Sequence, residues 1–309
     1  MTKPVFCLMG PTAIGKTDLA CELSMGLPLE IINVDSSLMY QELNIGAAKP
    51  EADILKRYPH HLVNCCSLSQ VYSVANFCRD ANSLIQEIWA RDHYPLLVGG
   101  TMMYFHALQQ GLAQLPQASA EIREELLNCA QLLGWQAMHD RLFQVDAVAA
   151  AKIHPHDKQR ILRGLEIYHI TGKPWSQWLS NQQSLPDTQW VNMALLPDPR
   201  EWLHQRIATR LNQMLELGLL DEVQYILGLP DLNLEHPALK SVGYRQAITF
   251  LQDADTSNWS EKILFATRQL AKRQMTWIRG YENKHIFLCP DVEIKVKILA
   301  LMQEILDNS

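Results

Sequence analysis

MGPTAIGKTDLA, residues 9–20, is the stretch on which the fold turns. Four residues separate Gly10 from Gly15-Lys16-Thr17, which is the G-x-x-x-x-G-K-[ST] spacing of a phosphate-binding loop. The apolar run VFCLM (5–9) precedes it and the helical pattern TDLACELSM (17–25) follows it, the strand–loop–helix context that the motif requires. In such a loop the backbone N–H groups point inward and the helix N-terminus adds positive potential. Gly10, Pro11, Thr12, Ala13, Ile14, Gly15, Lys16 and Thr17 are therefore assigned to a diphosphate or nucleotide site. Lys16 is expected to reach the terminal phosphate, and the Thr17 hydroxyl to ligate Mg²⁺. The loop alone leaves open whether ATP, another nucleotide or a leaving diphosphate occupies it.

Working outward, short apolar runs alternate with amphipathic stretches: VFCLM, LEIINV (29–34), HLVNC (61–65), PLLVG (95–99) and VNMALL (191–196). That rhythm predicts an α/β fold, a P-loop NTPase-like, mainly parallel sheet flanked by helices. The ninety or so residues between PLLVG and VNMALL read almost entirely as helices, among them 121–133, 135–145, 146–153 and 157–171, the last closed by Gly172. A helical insertion over 112–188 is predicted, with residues 1–111 and 189–309 forming the catalytic core. Asp198-Pro199-Arg200-Glu201 reads as an N-cap, a first-turn proline and a capping glutamate, opening a helix that runs to Gly218. EKILFATRQLAKRQMTWIRG (261–280) reads as another long helix.

At 309 residues, 48% apolar and 19% charged, the composition suits a soluble enzyme with a large core. No run of eighteen apolar residues exists, so no membrane span is expected, and the start MTKP-VFCLM leaves no room for a signal peptide. Seven cysteines without a C-x-x-C pair suit a reduced, cytoplasmic setting. Two His pairs, His60-His61 and His154-x-His156, lack third and fourth ligands at a zinc spacing. The net charge of −6 conceals two basic islands, residues 152–173 and 262–284, compatible with a localised polyanion site. On the second, Arg268, Lys272 and Arg279 share a narrow helical sector, while Ile263, Ala266, Leu270 and Trp277 fall opposite as an expected core stripe.

The use made of the phosphate rests on one acid. A P-loop ATPase usually carries an Asp at the end of another core strand to hold Mg²⁺ and help position water, but here LLV runs into Gly99-Gly100-Thr101. Asp35, after LEIINV, is the acid at a strand end near the loop. Two readings survive: a small-molecule kinase, or a transferase in which Asp35 activates a nucleophile while pyrophosphate leaves. A nucleotide-dependent RNA-binding switch would leave Asp35 without a task. The basic islands and the insertion argue against a metabolite kinase, which has no use for either.

Further motifs then follow in order: DSSLMY (35–40), IGAAKP (45–50), PHHL (59–62), YSVANFCRDA (72–81), LLVGGTMMYFHAL (96–108), KIHPHDKQRILRGLEIY (152–168), SVGYRQ (241–246) and ATRQLAKRQMTWIRG (266–280). From about residue 5 to 281 the chain resembles the bacterial tRNA dimethylallyltransferases. That resemblance implies transfer of a dimethylallyl group from dimethylallyl diphosphate to the exocyclic amine of the adenosine 3′ of the anticodon, in tRNAs reading codons that start with U. It implies a monomer whose partner is the anticodon stem-loop.

In that chemistry Asp35 would accept the amine proton. Lys16, Thr17, Mg²⁺ and the loop amides would stabilise the leaving pyrophosphate. Thr101 would lie where adenine and donor meet, and Arg206 and Arg210 could reach the diphosphate or pair instead with Glu201 or Asp221. The resemblance places Asp35, Ser36, Ser37, Leu38 and Thr101 against the flipped base. It places Arg123, Gln159, Arg160, Ile161, Leu162, Arg163 and Lys240-Ser241-Val242-Gly243-Tyr244-Arg245 on the RNA, joined by Lys272, Arg273 and Arg279 of the basic ridge. Many family members carry Gln at the position of Leu38 and Thr at that of Ala47, so Leu38 offers only apolar contact and backbone atoms.

Overall fold

The computed structural model describes residues 2–113, 115–179, 185–186, 188–252 and 258–308. Six parallel strands form one sheet in the order β3-β2-β4-β1-β5-β6: β1 (Lys3–Met9), β2 (Leu29–Val34), β3 (His60–His61), β4 (Tyr94–Gly99), β5 (Thr188–Pro197) and β6 (Lys284–Cys289). The four inner strands are apolar on both faces because helices cover both, as parallel sheets demand. Phe6, Leu8, Ile31, Leu96, Val98, Val191 and Met193 pack on one face against α1 (Lys16–Leu23), α9 (Arg200–Glu216) and α13 (Ile294–Asp307). Each such buried side chain stabilises the fold by about 1.5–3 kcal/mol. Helix α3 (Val74–Ala90) lies against β2 and β4, opened by a capping box in which Ser73 and Asn76 satisfy each other's backbone N–H groups. Helices α2 (Ala52–Arg57), α4 (Met102–Gln110), α10 (Leu219–Leu227), α11 (Tyr244–Gln252) and α12 (Trp259–Gly280) complete this unit.

A second compact unit starts at Gln110 and ends before Leu185, two residues ahead of the expected insertion start. Its expected end at residue 188 is preceded by 180–184 and 187, which lie outside the described residues. It comprises α5 (Ala120–Val145), α6 (Ala147–Ala150), α7 (Lys158–Thr171) and α8 (Trp175–Leu179), packed around Leu126, Met138, Leu142, Ile153, Ile161 and Leu165. Gly134 interrupts α5 with φ 80 and ψ 161, so the two helical patterns read there are two segments meeting at a kink.

Three expectations need correction, and one region had no expectation. HLVNC yields only the two-residue edge strand β3, because Leu62 and Asn64 adopt positive φ and turn the chain away. Strand β6 and α13 went unread, since KHIFLC is an edge strand with most of its side chains out of the core. Helix α9 starts at Arg200 with Pro199 at the cap and no side-chain cap bond, so Asp198 does not cap it. On α12 the buried sector is Ile263, Ala271, Gln274, Met275 and Ile278, whereas Trp277 is 40% exposed. The apolar stripe read at Leu270 and Trp277 faces a cavity rather than the core.

Candidate active site

The loop between β1 and α1 passes through left-handed backbone at Ala13 (φ 64) and Gly15 (φ 102), and α1 begins directly at Lys16. Lys16 Nζ donates to Pro11 O at 2.8 Å, closing the loop into a ring. Burial pushes the Lys16 ammonium down to about 8, against the pull of the Asp35 carboxylate and with the push of Arg210. Helix α9 adds two guanidinium groups one turn apart. Arg206 Nε donates to Ala13 O at 2.7 Å, and its guanidinium lies over the Trp202 ring at 5.1 Å. Arg210 donates to Thr12 Oγ1 at 3.4 Å and to Ala48 O at 3.5 Å. Burial, aided by neighbouring Arg206, lowers its pKa, while Asp35 opposes the shift. Among the described residues neither arginine pairs with Glu201 or Asp221, so both side chains belong to the loop.

Asp35 follows β2, beside the turn that follows β4. A Cβ on Gly99 would sit 2.0 Å from Val34 O, so glycine alone lets the two strand ends close up. The closure puts Thr101 N–H on Val34 O and Ser36 N–H on Thr101 Oγ1, each at 3.1 Å. Asp35 Oδ1 accepts from Ser37 N–H at 3.0 Å, while Oδ2 has no hydrogen-bond partner among the described residues. The carboxylate thus caps the turn with one oxygen and leaves the other available. Buried Asn33 sets this geometry: its Oδ1 accepts from Asp35 N–H, and its Nδ2 donates to Asp35 O and Leu62 O, all at 3.0 Å.

Two cavities meet at this acid. The first, about 820 Å³, is lined by Gly15, Lys16, Thr17, Leu38, Lys49 and Arg206. The second, about 480 Å³, is lined by Ser36, Ser37, Thr101, Met103, Leu211, Met214, Leu270 and Trp277. Thr12, Ala13, Asp35, Ala47, Ala48, Arg210 and Gln274 belong to both walls. A chamber lined by Lys16, Lys49, Arg206 and Arg210 therefore adjoins a more apolar one, with the Asp35 carboxylate at the boundary. No group of three His, Cys, Asp or Glu side chains suited to a metal ion occurs among the described residues. The Thr17 hydroxyl, on the first wall, has no hydrogen-bond partner among the described residues.

A family model described as IPP transferase matches residues 38–281. The chain belongs to the IPP transferase family. It is 48% identical over 310 residues to the tRNA dimethylallyltransferase of Legionella pneumophila strain Corby, covering 100% of this chain and 99% of that one. It is 32% identical, at a TM-score of 0.71, to the crystal structure of the tRNA isopentenylpyrophosphate transferase of Bacillus halodurans, with 100% and 98% coverage. A eukaryotic dimethylallyltransferase acting on tRNA shares the fold at a TM-score of 0.81 and 24% identity, over 99% of this chain and 80% of that one.

Several residues that the family resemblance placed on RNA have other occupations. The Ile161 side chain is fully buried in the insertion core and so is not presented to a ligand, while Leu162 packs against that core half-buried. Arg123 and Arg163 both bond the buried carboxylate of Glu166, at 3.2 and 2.7 Å, and Arg163 also donates to Pro116 O at 2.7 Å. Their first task is to neutralise an internal charge. Tyr244 is 1% exposed and donates to Glu222 Oε1 at 2.6 Å, an internal anchor and not an RNA contact. Lys240 pairs with exposed Glu235 at 2.6 Å, an arrangement of little energetic weight. Gln159, Arg160, Arg245, Lys272, Arg273 and Arg279 remain exposed, while Ser241 and Val242 are half-buried and Gly243 is buried.

Gln274 was missed. It stood inside a quoted motif without a role, and an amide in the apolar sector of a helix is the signal that could have found it. Lys49 was missed as well: its Nζ donates to Tyr40 O at 2.7 Å and Asn64 Oδ1 at 2.6 Å, and burial lowers its pKa to about 8.

Proposed function

We propose that the chain transfers the dimethylallyl group of dimethylallyl diphosphate to the exocyclic amine of the adenosine 3′ of the anticodon, in tRNAs whose codons begin with U. The observation that carries this reading is the position of Asp35 on the wall common to the cationic and the apolar cavity. An adenine amine is a weak nucleophile because its lone pair is delocalised into the ring. Attack on an allylic carbon needs a proton acceptor at one end and charge stabilisation at the other. The amine nitrogen bonds to C1 of the allyl group as the C–O bond to the diphosphate breaks, and the electron pair leaves with pyrophosphate. The free Asp35 oxygen takes the amine proton. Lys16, Arg206, Arg210 and the loop amides hold the departing charge.

Mg²⁺ fits the donors present, because this ion is commonly held by one or two protein oxygens together with substrate phosphates. Thr17 would hold it beside the diphosphate, where it would supply further neutralisation of the leaving group. Thr101, Ser36 and Ser37 would receive the flipped base in the apolar cavity, with Leu38 offering apolar contact from the adjoining first cavity. A loop base is cheaper to flip than a paired one, which suits an anticodon loop as substrate. Exposed Gln159, Arg160, Arg245, Lys272, Arg273 and Arg279 would contact the backbone of the RNA. A cytoplasmic monomer completes the reading; no helix among the described residues is long and apolar enough to cross a membrane.

The deciding assay incubates the protein with unmodified tRNA, labelled dimethylallyl diphosphate, ATP and Mg²⁺. Label is expected on the adenosine beside the anticodon. ATP consumption with no label on RNA would overturn the proposal in favour of a kinase.

A further inference from the structure

A third cavity, about 540 Å³, opens between α11 and α12. Its wall carries Phe265, 65% exposed, among Arg245, Lys262 and Arg273. None of these three cations has an ion-pair partner among the described residues, and Glu261 is the only acid on the wall. An exposed benzyl group beside three cations without ion-pair partners matches one ligand chemistry closely. Single-stranded nucleic acid offers a flat base for the ring and phosphates for the cations.

Position strengthens the match. Val242 and Arg273 line both this groove and the apolar cavity that contains Asp35 and Thr101. The groove therefore adjoins the chamber where the target base would lie. Along α12, Lys262, Phe265, Gln269 and Arg273 follow one another at helical spacing on a single strip.

We infer that this groove is a stacking subsite for an unpaired nucleotide neighbouring the target adenosine: its base packs on Phe265 and its phosphates meet Arg273 and Lys262 or Arg245. The inference rests on the RNA-transferase reading above, and it extends recognition beyond the modified base to the flanking sequence. Stacking tolerates any base but favours the larger purine faces, so the subsite would select flexible, single-stranded loops over paired segments.

The test uses the full chain and two anticodon stem-loop RNAs, each with 2-aminopurine on one side of the target adenosine. Binding is expected to change the fluorescence of one of the two probes, with the change lost in Phe265→Ala and retained in Phe265→Trp. Phe265→Ala should raise KM for RNA about 10-fold, the order that loss of one stacked base produces, and move KM for dimethylallyl diphosphate far less. An unchanged KM for RNA in Phe265→Ala, or a probe signal identical to that of the unaltered chain, overturns the subsite. Because the fluorescence reading needs no turnover, it separates this inference from the transferase proposal, which fails on its own if the unaltered protein transfers no label.

Discussion

Thr12 and Gln274, 262 residues apart in the chain, share a hydrogen bond of 2.9 Å from the Thr12 N–H to the Gln274 side-chain carbonyl. The other end of the same amide, Nε2, donates to Gly100 O at 2.9 Å. One buried side chain from α12 thus ties the phosphate loop to the turn that carries Thr101. Replacing it by Gln274→Leu keeps the volume and strands both backbone groups, at about 1–3 kcal/mol each. The expected outcome is a lowered melting temperature and a KM for dimethylallyl diphosphate raised more than that for RNA. Gln274→Glu keeps the acceptor for Thr12 but sets a carboxylate against Gly100 O in a buried place, so it should destabilise at least as much as the leucine variant. Unaltered stability and KM in the leucine variant would show the bridge to be idle.

Asp35→Asn keeps an oxygen for the Ser37 N–H and so preserves the turn, while the proton acceptor is lost. Loss of a general base lowers turnover about 10²- to 10⁴-fold. Binding of RNA, measured by filter retention or anisotropy, should stay within a few-fold of the unaltered protein. Full turnover in this variant would remove Asp35 from proton transfer.

Lys16 carries its charge only up to about pH 8 in the free protein, because burial disfavours the ammonium. As pH rises through that value the cradle loses a positive charge and with it affinity for the diphosphate. The kcat/KM for dimethylallyl diphosphate should therefore fall on the alkaline side, with a midpoint near 8, since this parameter reports groups of the free enzyme. Lys16→Ala should lower the plateau and weaken that alkaline limb, the remainder reporting Lys49, which lies on the same wall with a pKa also lowered to about 8. A limb unchanged in Lys16→Ala would assign it to another group.

The parts of this site that could be read from sequence are those whose chemistry is local. The cradle is a contiguous run from Gly10 to Thr17, and Asp35 directly follows an apolar strand, so spacing alone brings both to neighbouring strand ends. Gln274, Asn33 and Glu222 act by bonding backbone atoms distant in the chain, and no spacing rule encodes which backbone they will meet. The unread edge has a similar cause. Strand β6 shows the sheet only part of its surface, so KHIFLC lacks the continuous apolar pattern of the inner strands. Arg123 and Arg163 look like surface cations in the sequence because their partner, Glu166, is an acid buried by the fold.

Arg163→Ala follows from that last correction. Glu166 is fully buried, and losing one of its two arginines leaves an under-compensated charge that should cost about 3 kcal/mol of stability. Urea unfolding should reveal the loss, while the salt dependence of RNA binding stays unchanged. Arg160 is more than half exposed and holds only Asp157 at 3.5 Å, so Arg160→Ala should leave stability intact and lower the salt slope by about 1. The opposite pattern would return Arg163 to the RNA and make Arg160 a bystander.

Glu222 holds the segment that lines both cavities together with Asp35. Its carboxylate accepts the backbone N–H groups of Asn44, Ile45 and Gly46 at 3.1, 2.7 and 3.1 Å and the Tyr244 hydroxyl at 2.6 Å. The ring of Tyr244 lies so close to Gly46 that an added Cβ would stand 2.6 Å from it. This arrangement positions Ala47 and Ala48 on the boundary of the two cavities. Glu222→Ala removes four acceptor contacts at once, and Gly46→Ala forces the ring away while leaving the carboxylate in place. Both should reduce turnover at least 10-fold, with Glu222→Ala also releasing the 44–48 segment to proteolysis or hydrogen exchange. Tyr244→Phe deletes one of the four contacts and keeps the ring, so its loss should be no more than a few-fold. If Tyr244→Phe were as damaging as Glu222→Ala, the hydroxyl itself would have to touch substrate, and the internal-anchor assignment of Tyr244 would fall.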